Sequence, residues 1–486
     1  MEQYFQKFRQ NTIGNELKFQ TPYGKQIMIY ADWVASGRLY APIEQKMSGV
    51  FGPYVGNTHT ETSETGTLMT KSYHYAQHQI KQYCHAGDND VMIAAGAGMT
   101  AAVNKFQRIL GLRFPNAKAK KEDIPKQDRP IVFITHMEHH SNQISWYETI
   151  ADVVILPYDK HLRVDVEASR QIIAKYQDRD IKIGAFSAGS NVTGVIPPYY
   201  ELAEIMHEYD GYCFVDFAGS GPYIKIDMHP SNENQKLDAI FFSPHKFLGG
   251  PGASGILIFD ASLYHRKVPD HPGGGTVLWT NPWGEYRYFD DVELREDGGT
   301  PGFLQLIRAA LAMEIKEEMG VDNILKREEE LLQIAFEEFP KISGMHILAE
   351  DSKDRLGIFS FYIENINYNL IVKLLNDRYG IQVRGGCACA GTYGHLLLNV
   401  DLEQSHRITD KINRGDLSEK PGWVRLSLHP TMTDEELYTV IRALHEIVDN
   451  ITDWEKDYIY NPNTNEFRHY SEPEDKTAMI RDWFRF

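Results

Sequence analysis

Two apolar runs, GYCFVDF (211–217) and LDAIFFS (237–243), end in side chains with chemical potential: Asp216 closes the first, and Ser243, His245 and Lys246 follow the second. Upstream, VMIAAGAGMTAAVNKFQRIL (91–110) reads as a strand running through a glycine-rich turn into a helix. Such a turn lets backbone N–H groups and a helix dipole approach a phosphate, and Thr100 adds a hydroxyl at the helix start. Gly96, Gly98 and Ala101 also satisfy the dinucleotide pattern GxGxxA, with acidic Glu122 and Asp123 downstream. That segment alone is therefore compatible with one phosphate, with a dinucleotide, or with a tight turn that holds no ligand. Ligands of open α/β sheets bind beyond the carboxyl ends of the strands, so Asp216, Lys246 and the 96–100 turn are expected to converge there. A carboxylate, a lysine and a phosphate cradle are what pyridoxal phosphate requires. The lysine forms the Schiff base, the carboxylate keeps the pyridine nitrogen protonated so that the ring withdraws electrons, and the cradle fixes the phosphate. Such a lysine must be desolvated or close to other cations to be a nucleophilic amine. The GGPGASG that follows SPHKFL supplies small residues where something approaches the backbone closely.

Two further clusters carry reactive side chains. His136, His139 and His140 in THMEHHSN suggest a metal, but no Cys or acid partners them at metal spacing, and a metal would leave Asp216 and Lys246 unexplained. No metal is expected, and His136 and His140 read as polar residues near a site mouth. The segment VRGGCACAGTYGH holds Cys387 and Cys389 beside Arg384, and a nearby guanidinium favours the thiolate. The same pair is equally readable as inert thiols in a glycine-rich turn. Zinc is not expected there, because Cys84 and Cys213 lie in other elements.

The elements that must position these residues follow from periodicity. Apolar runs at 91–95, 130–136, 152–158, 181–189, 211–217, 237–243 and 254–260 alternate with helix-like stretches at 100–110, 166–177 and 199–209. Unbroken apolar strands alternating with helices predict an α/β domain with a mainly parallel seven-stranded sheet covered on both faces. Beyond the Gly- and Pro-rich stretch 271–302, a charged helical region is expected over 303–339, its acidic runs forming a solvated face. Strand-like IFSFYIE (358–364), a helix near 369–378, strand-like WVRLSL (423–428) and a helix opened by Thr433-Asp434-Glu435-Glu436 then predict a smaller α+β domain. The expected division is an N-terminal segment 1–30 packing on the small domain, a large domain 31–302, a small domain 303–450 and a tail 451–486.

Composition narrows the function classes. With 50 Lys and Arg against 67 Asp and Glu among 486 residues, the formal charge is −17. Such a charge disfavours nucleic acid and anionic lipid unless a basic stripe is present, and none is evident. The four cysteines suit no disulfide framework, the first residues show no apolar signal region, and no apolar run reaches the length of a membrane span. A reduced, cytoplasmic protein acting on a small molecule is expected.

In this setting SPHKFLGGPG resembles the lysine signature of class V aminotransferases among the fold-type I pyridoxal phosphate enzymes, and the whole motif order is similar to that of cysteine desulfurases and selenocysteine lyases. The resemblance runs from about residue 30 to about residue 448. It implies Lys246 as the Schiff-base lysine, Asp216 as the partner of the pyridine nitrogen, and His139 stacked on the ring. Asn191, in GSNVTG, falls near the ring hydroxyl and the substrate, while Gly98, Met99, Thr100, Ser243 and His245 would bind cofactor, most of them at its phosphate. Thr280, in GGGTVLWT, falls where the family reaches across a dimer interface to the neighbouring subunit's phosphate, so a homodimer with its site at the interface is implied. Arg425 matches the arginine that grips the substrate α-carboxylate, a bidentate task suited to guanidinium. Arg384 and Cys389 keep the family spacing RxGxxC, in which the cysteine is the nucleophile that takes sulfur as a persulfide and releases alanine.

Two departures stand out. Gly219 and Ser220 occupy the place where the family commonly has a glutamine contacting the ring oxygen, and a stretch over 395–420 reads as an insertion that covers or reshapes the substrate entrance. Cys387 is an extra thiol that the pattern does not require; it is a small structural residue, a sulfur acceptor for Cys389, or its guard by oxidation. The expected activity is removal of sulfur or selenium from L-cysteine or a related amino acid, with Lys246, His139 and Cys389 catalytic, and with a sulfur-acceptor protein as partner. Its rival is transamination, β-elimination or epimerisation of another amino acid without a catalytic cysteine.

Overall fold

Each of the seven apolar runs forms a strand of one sheet: β1 (Asp90–Ala95), β2 (Ile131–Ile134), β3 (Asp152–Ile155), β4 (Lys182–Ser187), β5 (Tyr212–Asp216), β6 (Ala239–Phe242) and β7 (Gly255–Asp260). The computed structural model in which they are seen describes residues 1–114, 120–472 and 476–485. The sheet order is β1-β7-β6-β5-β4-β2-β3. Pairings among β2 to β6 are parallel, and β7 alone runs antiparallel to its neighbours β1 and β6. Strands buried on both faces have no use for alternating polarity, which is why these runs are largely apolar; the edge strand β3 is the exception in burial, with Ile155 exposed.

Residue alternation still divides the two faces. Phe214, Phe241, Leu257 and Phe259 point to one core, and Cys213, Val215, Ile240, Phe242, Ile256 and Ile258 to the other. On the first face the helix Met99–Ile109 is seated by Phe106, whose ring lies 4.8 Å from that of Phe259 and 5.1 Å from that of Phe214. Truncating so well enclosed a ring costs about 3–5 kcal/mol. Phe106 also fixes where the helix begins, next to the carboxyl end of β1.

A second, antiparallel sheet consists of β8 (Met345–Ile347), β9 (Ile358–Ile363), β10 (Arg384–Gly386) and β11 (Trp423–Ser427), in the order β8-β9-β11-β10. The charged region expected as one helical stretch is two helices, Phe303–Met319 and Val321–Glu338, separated at Gly320, whose φ of +76° ends the first helix. Thr433 and Glu436 form the expected capping box at the start of Asp434–Trp454. The first helix, Glu2–Gln10, is tied to this layer, since Arg9 makes paired bonds of 2.7 and 2.9 Å to Glu436 and the Met1 amine lies 2.8 Å from Glu330. In the tail, Tyr458–Asn461 and Glu466–His469 pair as a hairpin that periodicity did not foretell. It is anchored by Asn465, which donates to the Tyr368 hydroxyl at 2.7 Å. Among the described residues no helix is long and apolar enough to cross a membrane.

Candidate active site

The parallel strands bring their carboxyl ends to one edge, where a cavity of about 690 Å³ opens between the two sheets. Its wall contains Gly98, Met99, Thr100, His139, Asn191, Asp216, Ser243, His245, Lys246, Arg384, Cys389 and Arg425. Every residue that the family resemblance implies for catalysis, cofactor or substrate is therefore at this one place, except Thr280, while Gly96, Glu122 and Asp123 of the dinucleotide pattern are not in the wall. Thr280 is exposed on the hairpin Val277–Thr280 and Tyr286–Tyr288, outside the wall formed by its own chain.

The phosphate-type end is built from backbone. Gly98 precedes the helix Met99–Ile109 without a side-chain cap, which leaves first-turn N–H groups to other partners. Met99 N–H donates to Ser243 Oγ at 2.9 Å, and the hydroxyls of Thr100 and Ser141 are 2.6 Å apart. A Cβ on Gly98 would stand 3.0 Å from Ser243 Oγ and 3.6 Å from the His245 ring, so a side chain there would fill the space these groups face. The glycines after Lys246 serve the turn itself: a Cβ on Gly250 would fall 1.8 Å from the Pro244 carbonyl oxygen. The close approach expected near GGPGASG is thus made by the chain's own backbone.

Lys246 and Asp216 both line this enclosure and influence each other's charge. Lys246 retains some accessible surface, that of the wall it lines, yet protein surrounds it closely enough that burial lowers its ammonium pKa to about 8. Asp216 pulls that value up, while Arg425 and Arg384 push it down. Burial raises the Asp216 carboxyl to about 6, opposed by the Ala218 N–H, which donates to it at 2.8 Å, and by Lys246. His139 is neutral, its pKa lowered to about 3 by burial and then by Lys246. Its Nδ1 accepts from Ser141 N–H at 3.1 Å, so the proton sits on Nε2. Below it, buried Glu138 bonds Thr135 Oγ1 (2.6 Å), Asn142 Nδ2 (2.8 Å) and Ser187 N–H (3.0 Å), locking the His139 loop to the end of β4. Burial likewise lowers His245 to about 4, leaving a neutral imidazole.

The opposite wall is cationic, and its geometry comes from strand register. Arg384 of β10 and Arg425 of β11 are directly paired across antiparallel strands, so both side chains project from the same face. Like charges so placed repel, and Asp32 resolves the conflict: its carboxylate lies 3.0 Å from Arg425 and 3.0 Å from Arg384. Asp32 is itself held beside β11 by a bridge to Ser427. Sequence reading missed it, because its partners lie more than 350 residues away and IYADW carries no spacing signal. Arg425 Nη1 donates to the Asn191 carbonyl at 3.2 Å. Two buried polar atoms of this wall, Arg425 Nε and Asn191 Oδ1, have no partner among the described residues. Buried polar atoms left without a partner are what a bound ligand would satisfy, so this wall fits both pyridoxal phosphate and an α-carboxylate.

Cys389 enters from a turn that immediately follows β10. Ala390 N–H donates to the Cys387 carbonyl at 3.1 Å, and the two central residues, Ala388 and Cys389, have φ of +50° and +56°. Two left-handed non-glycine residues are each disfavoured by about 1–2 kcal/mol, a strain that persists only where surroundings enforce it. Three bonds do so here: Asn191 Nδ2 to the Ala388 carbonyl (2.7 Å), His140 N–H to the Cys389 carbonyl (2.8 Å) and Gly391 N–H to His140 Nε2 (2.9 Å). His140, read from sequence as a bland polar residue, clamps the cysteine turn. His136 turns away to the Leu162 carbonyl at 3.0 Å. Cys389 is exposed to the cavity and Cys387 half-buried.

Of the two departures, Gly219 lines the cavity while Ser220 is fully buried, its Oγ without a partner among the described residues. The inserted stretch forms much of the helices Gly391–Leu397 and Leu402–Asn413, and no residue from 391 to 420 belongs to the cavity wall. The stretch expected to cover or reshape the substrate entrance therefore contributes nothing to the cavity wall itself.

Comparison with known proteins places these features in context. The family model "Aminotransferase class-V" matches residues 29–440. A probable cysteine desulfurase of Halalkalibacterium halodurans is 29% identical over 371 residues, covering 75% of this chain and 84% of the relative. A probable cysteine desulfurase of Halobacterium salinarum is 26% identical over 372 residues, covering 75% and 83%. Among solved structures, the apo cysteine desulfurase of Thermococcus onnurineus superposes with a TM-score of 0.72 at 20% identity, over 91% of this chain and 98% of that one. An Escherichia coli cysteine desulfurase gives 0.68 at 21% identity, over 88% and 97%. These two likenesses concern the fold.

Proposed function

The chain belongs to the aminotransferase class-V family, and from that premise we propose that it is a pyridoxal-phosphate-dependent cysteine desulfurase, removing sulfur from L-cysteine or a closely related amino acid. One observation carries the reading: a thiol, Cys389, opens into the same cavity as Lys246 and the Arg384 and Arg425 pair. A transaminase needs the lysine and the arginine but has no task for a nucleophile held there in a strained turn.

When bound, pyridoxal phosphate supplies an electron-withdrawing ring that stabilises negative charge at the substrate α-carbon. The chain's own groups supply the rest. Thr100, Ser243, His245 and the first N–H groups of the helix after Gly98 and Met99 bind the phosphate, and Asp216 holds a proton on the pyridine nitrogen. Neutral His139 stacks on the ring without adding charge. Arg425, with Nε unoccupied, receives the α-carboxylate, supported by Arg384 and Asn191. Lys246, its basicity lowered by burial, takes the α-proton and returns a proton to carbon. Cys389 attacks the substrate sulfur as thiolate: the Cys389 Sγ–S bond forms, the substrate Cβ–S bond breaks, and alanine leaves.

Thr280 is exposed beside Trp279, Trp283 and Tyr286 on a projecting hairpin, which supports the reading that it meets a second copy of the chain at that copy's phosphate. A sulfur-accepting protein is the partner this chemistry calls for. The direct test is Cys389→Ala assayed with L-cysteine: alanine and sulfide production should fall to background while the cofactor spectrum persists. Full turnover in that variant, or a keto acid product, would instead support transamination or elimination.

A further inference from the structure

We propose that Cys387 is the resolving thiol of Cys389, an inference that rests on the reading of Cys389 as the residue that receives sulfur. Once Cys389 carries a persulfide, the Cys387 thiolate attacks Cys389 Sγ, the Cys387–Cys389 disulfide forms, and the outer sulfur leaves as hydrosulfide. The balance closes without an external oxidant, since two cysteine sulfurs are oxidised and the sulfane sulfur is reduced to sulfide. Restoring the thiols takes an exogenous dithiol.

The geometry of the turn is the first support. Cys387 and Cys389 occupy its first and third positions, closed by the Ala390 N–H to Cys387 carbonyl bond, with left-handed backbone at Ala388 and Cys389. Two trans peptides span at most roughly 7.6 Å, and a closed turn brings them nearer, into the roughly 4.4–6.8 Å between Cα atoms that a disulfide needs. A disulfide across a single intervening residue is strained and readily reduced, which suits a transient bond over a structural one. The turn is fastened from outside by Asn191 and His140, so the two thiols cannot drift apart as they would in a free loop.

The remaining thiols supply the contrast. Cys84 and Cys213 are fully buried, and burial pushes both thiols well above the ordinary range, which makes them inert. Cys387 keeps partial exposure and packs against the core that contains Val215 and Ile240, near Tyr368, while Cys389 is exposed. That placement suits attack on the inner sulfur of a persulfide whose outer sulfur points to the cavity.

The test uses holoenzyme given one equivalent of L-cysteine anaerobically without added thiol, quenched with iodoacetamide and read by peptide mass. Wild type should yield alanine and free sulfide in equal amounts, with the peptide containing both cysteines unalkylated and lighter by two hydrogens. Cys387→Ser should hold the sulfur, its peptide heavier by one sulfur atom at Cys389, with free sulfide lost. Alanine formed while wild type retains persulfide, on either cysteine, overturns the resolving role and leaves the desulfurase reading standing. Absence of alanine overturns the desulfurase reading and this inference with it. As a separate arm, diamide added to holoenzyme without cysteine should link Cys387 to Cys389, and failure to do so refutes the proposed geometry whatever the substrate.

Discussion

Replacing Asp32 by Asn tests whether the arginine pair is positioned or opposed by that carboxylate. Asp32 accepts from Arg425 Nη2 at 3.0 Å and from Arg384 Nε at 3.1 Å, with Arg384 Nη2 a further 3.0 Å contact. An amide keeps the shape but offers one acceptor oxygen and no charge. The Arg384 side chain is 53% exposed and can turn into solvent cheaply, whereas that of Arg425 is 5% exposed and cannot, so the remaining oxygen stays with Arg425. Changing a charged bond into a neutral one loses about 1–1.5 kcal/mol, and release of Arg384 adds up to about 1, giving about 2 kcal/mol in all. If all of it is spent on displacing the arginines, it sets an upper limit of about 30-fold, at 1.36 kcal/mol per factor of ten, on the loss in binding of an amino acid through its carboxylate. Steady-state kinetics with L-cysteine should show it in KM, with kcat changed less, and differential scanning fluorimetry should show a lower melting midpoint. A KM that stays the same or falls would refute the reasoning, because Asp32 would then compete with the substrate carboxylate for the arginines.

Other consequences are equally direct. Lys246 has a pKa lowered to about 8, so the rate at which apoprotein takes up pyridoxal phosphate should climb through pH 7 to 9 as the free amine appears, and Lys246→Ala should show no borohydride-fixable attachment; a flat profile would contradict the burial argument. Gly98→Val should reduce cofactor retained after dialysis while leaving the melting midpoint of apoprotein nearly unchanged, since extended backbone at Gly98 accepts any residue and only the cradle is filled; undiminished retention would remove the phosphate from that turn. His429 is buried, stacked on Trp33 at 3.8 Å between ring centres, and lowered by burial to about 3. Between that value and its unfolded 6.5 the unfolded chain binds the proton and the folded chain does not, so stability present above pH 6.5 is lost as pH falls. His429→Phe should flatten the pH dependence of urea unfolding from pH 6.5 to 4 by up to about 1.4 kcal/mol per pH unit, and an unchanged slope would show that His429 does not drive acid unfolding.

The large sheet was readable from the sequence because a strand buried on both faces advertises itself as an unbroken apolar run, and the edge strand β3, though less buried, carries a similar run; all seven pair in one sheet. The residues at the carboxyl ends followed from the same rule, which is why Asp216, Ser243 and Lys246 meet the Gly98 turn. Interactions whose partners are remote were invisible. Nothing in IYADW announces that Asp32 compensates two arginines, and nothing in THMEHHSN distinguishes His140, a clamp on the cysteine turn, from His136, which serves a distant carbonyl. Gly320 was legible as a residue but not as a break, since helical periodicity continues on both sides of it. The tail hairpin escaped because its strands are only four residues each, too short for a period to be counted.

The pairing of Arg384 with Arg425 has a consequence for selectivity. Arg384 lies on β10, Arg425 directly opposite it on β11, and Cys389 in the turn that follows β10, so the spacing between the two guanidinium groups and the thiol follows from sheet register. If the arginines take the carboxylate and Cys389 the sulfur, as proposed, the second sheet acts as a ruler laid along the substrate, one end at the carboxylate and the other at the sulfur. An amino acid longer by one methylene carries its sulfur roughly one bond length, about 1.5 Å, past the mark. On that proposal, chain length, more than the identity of the chalcogen, is the property selected.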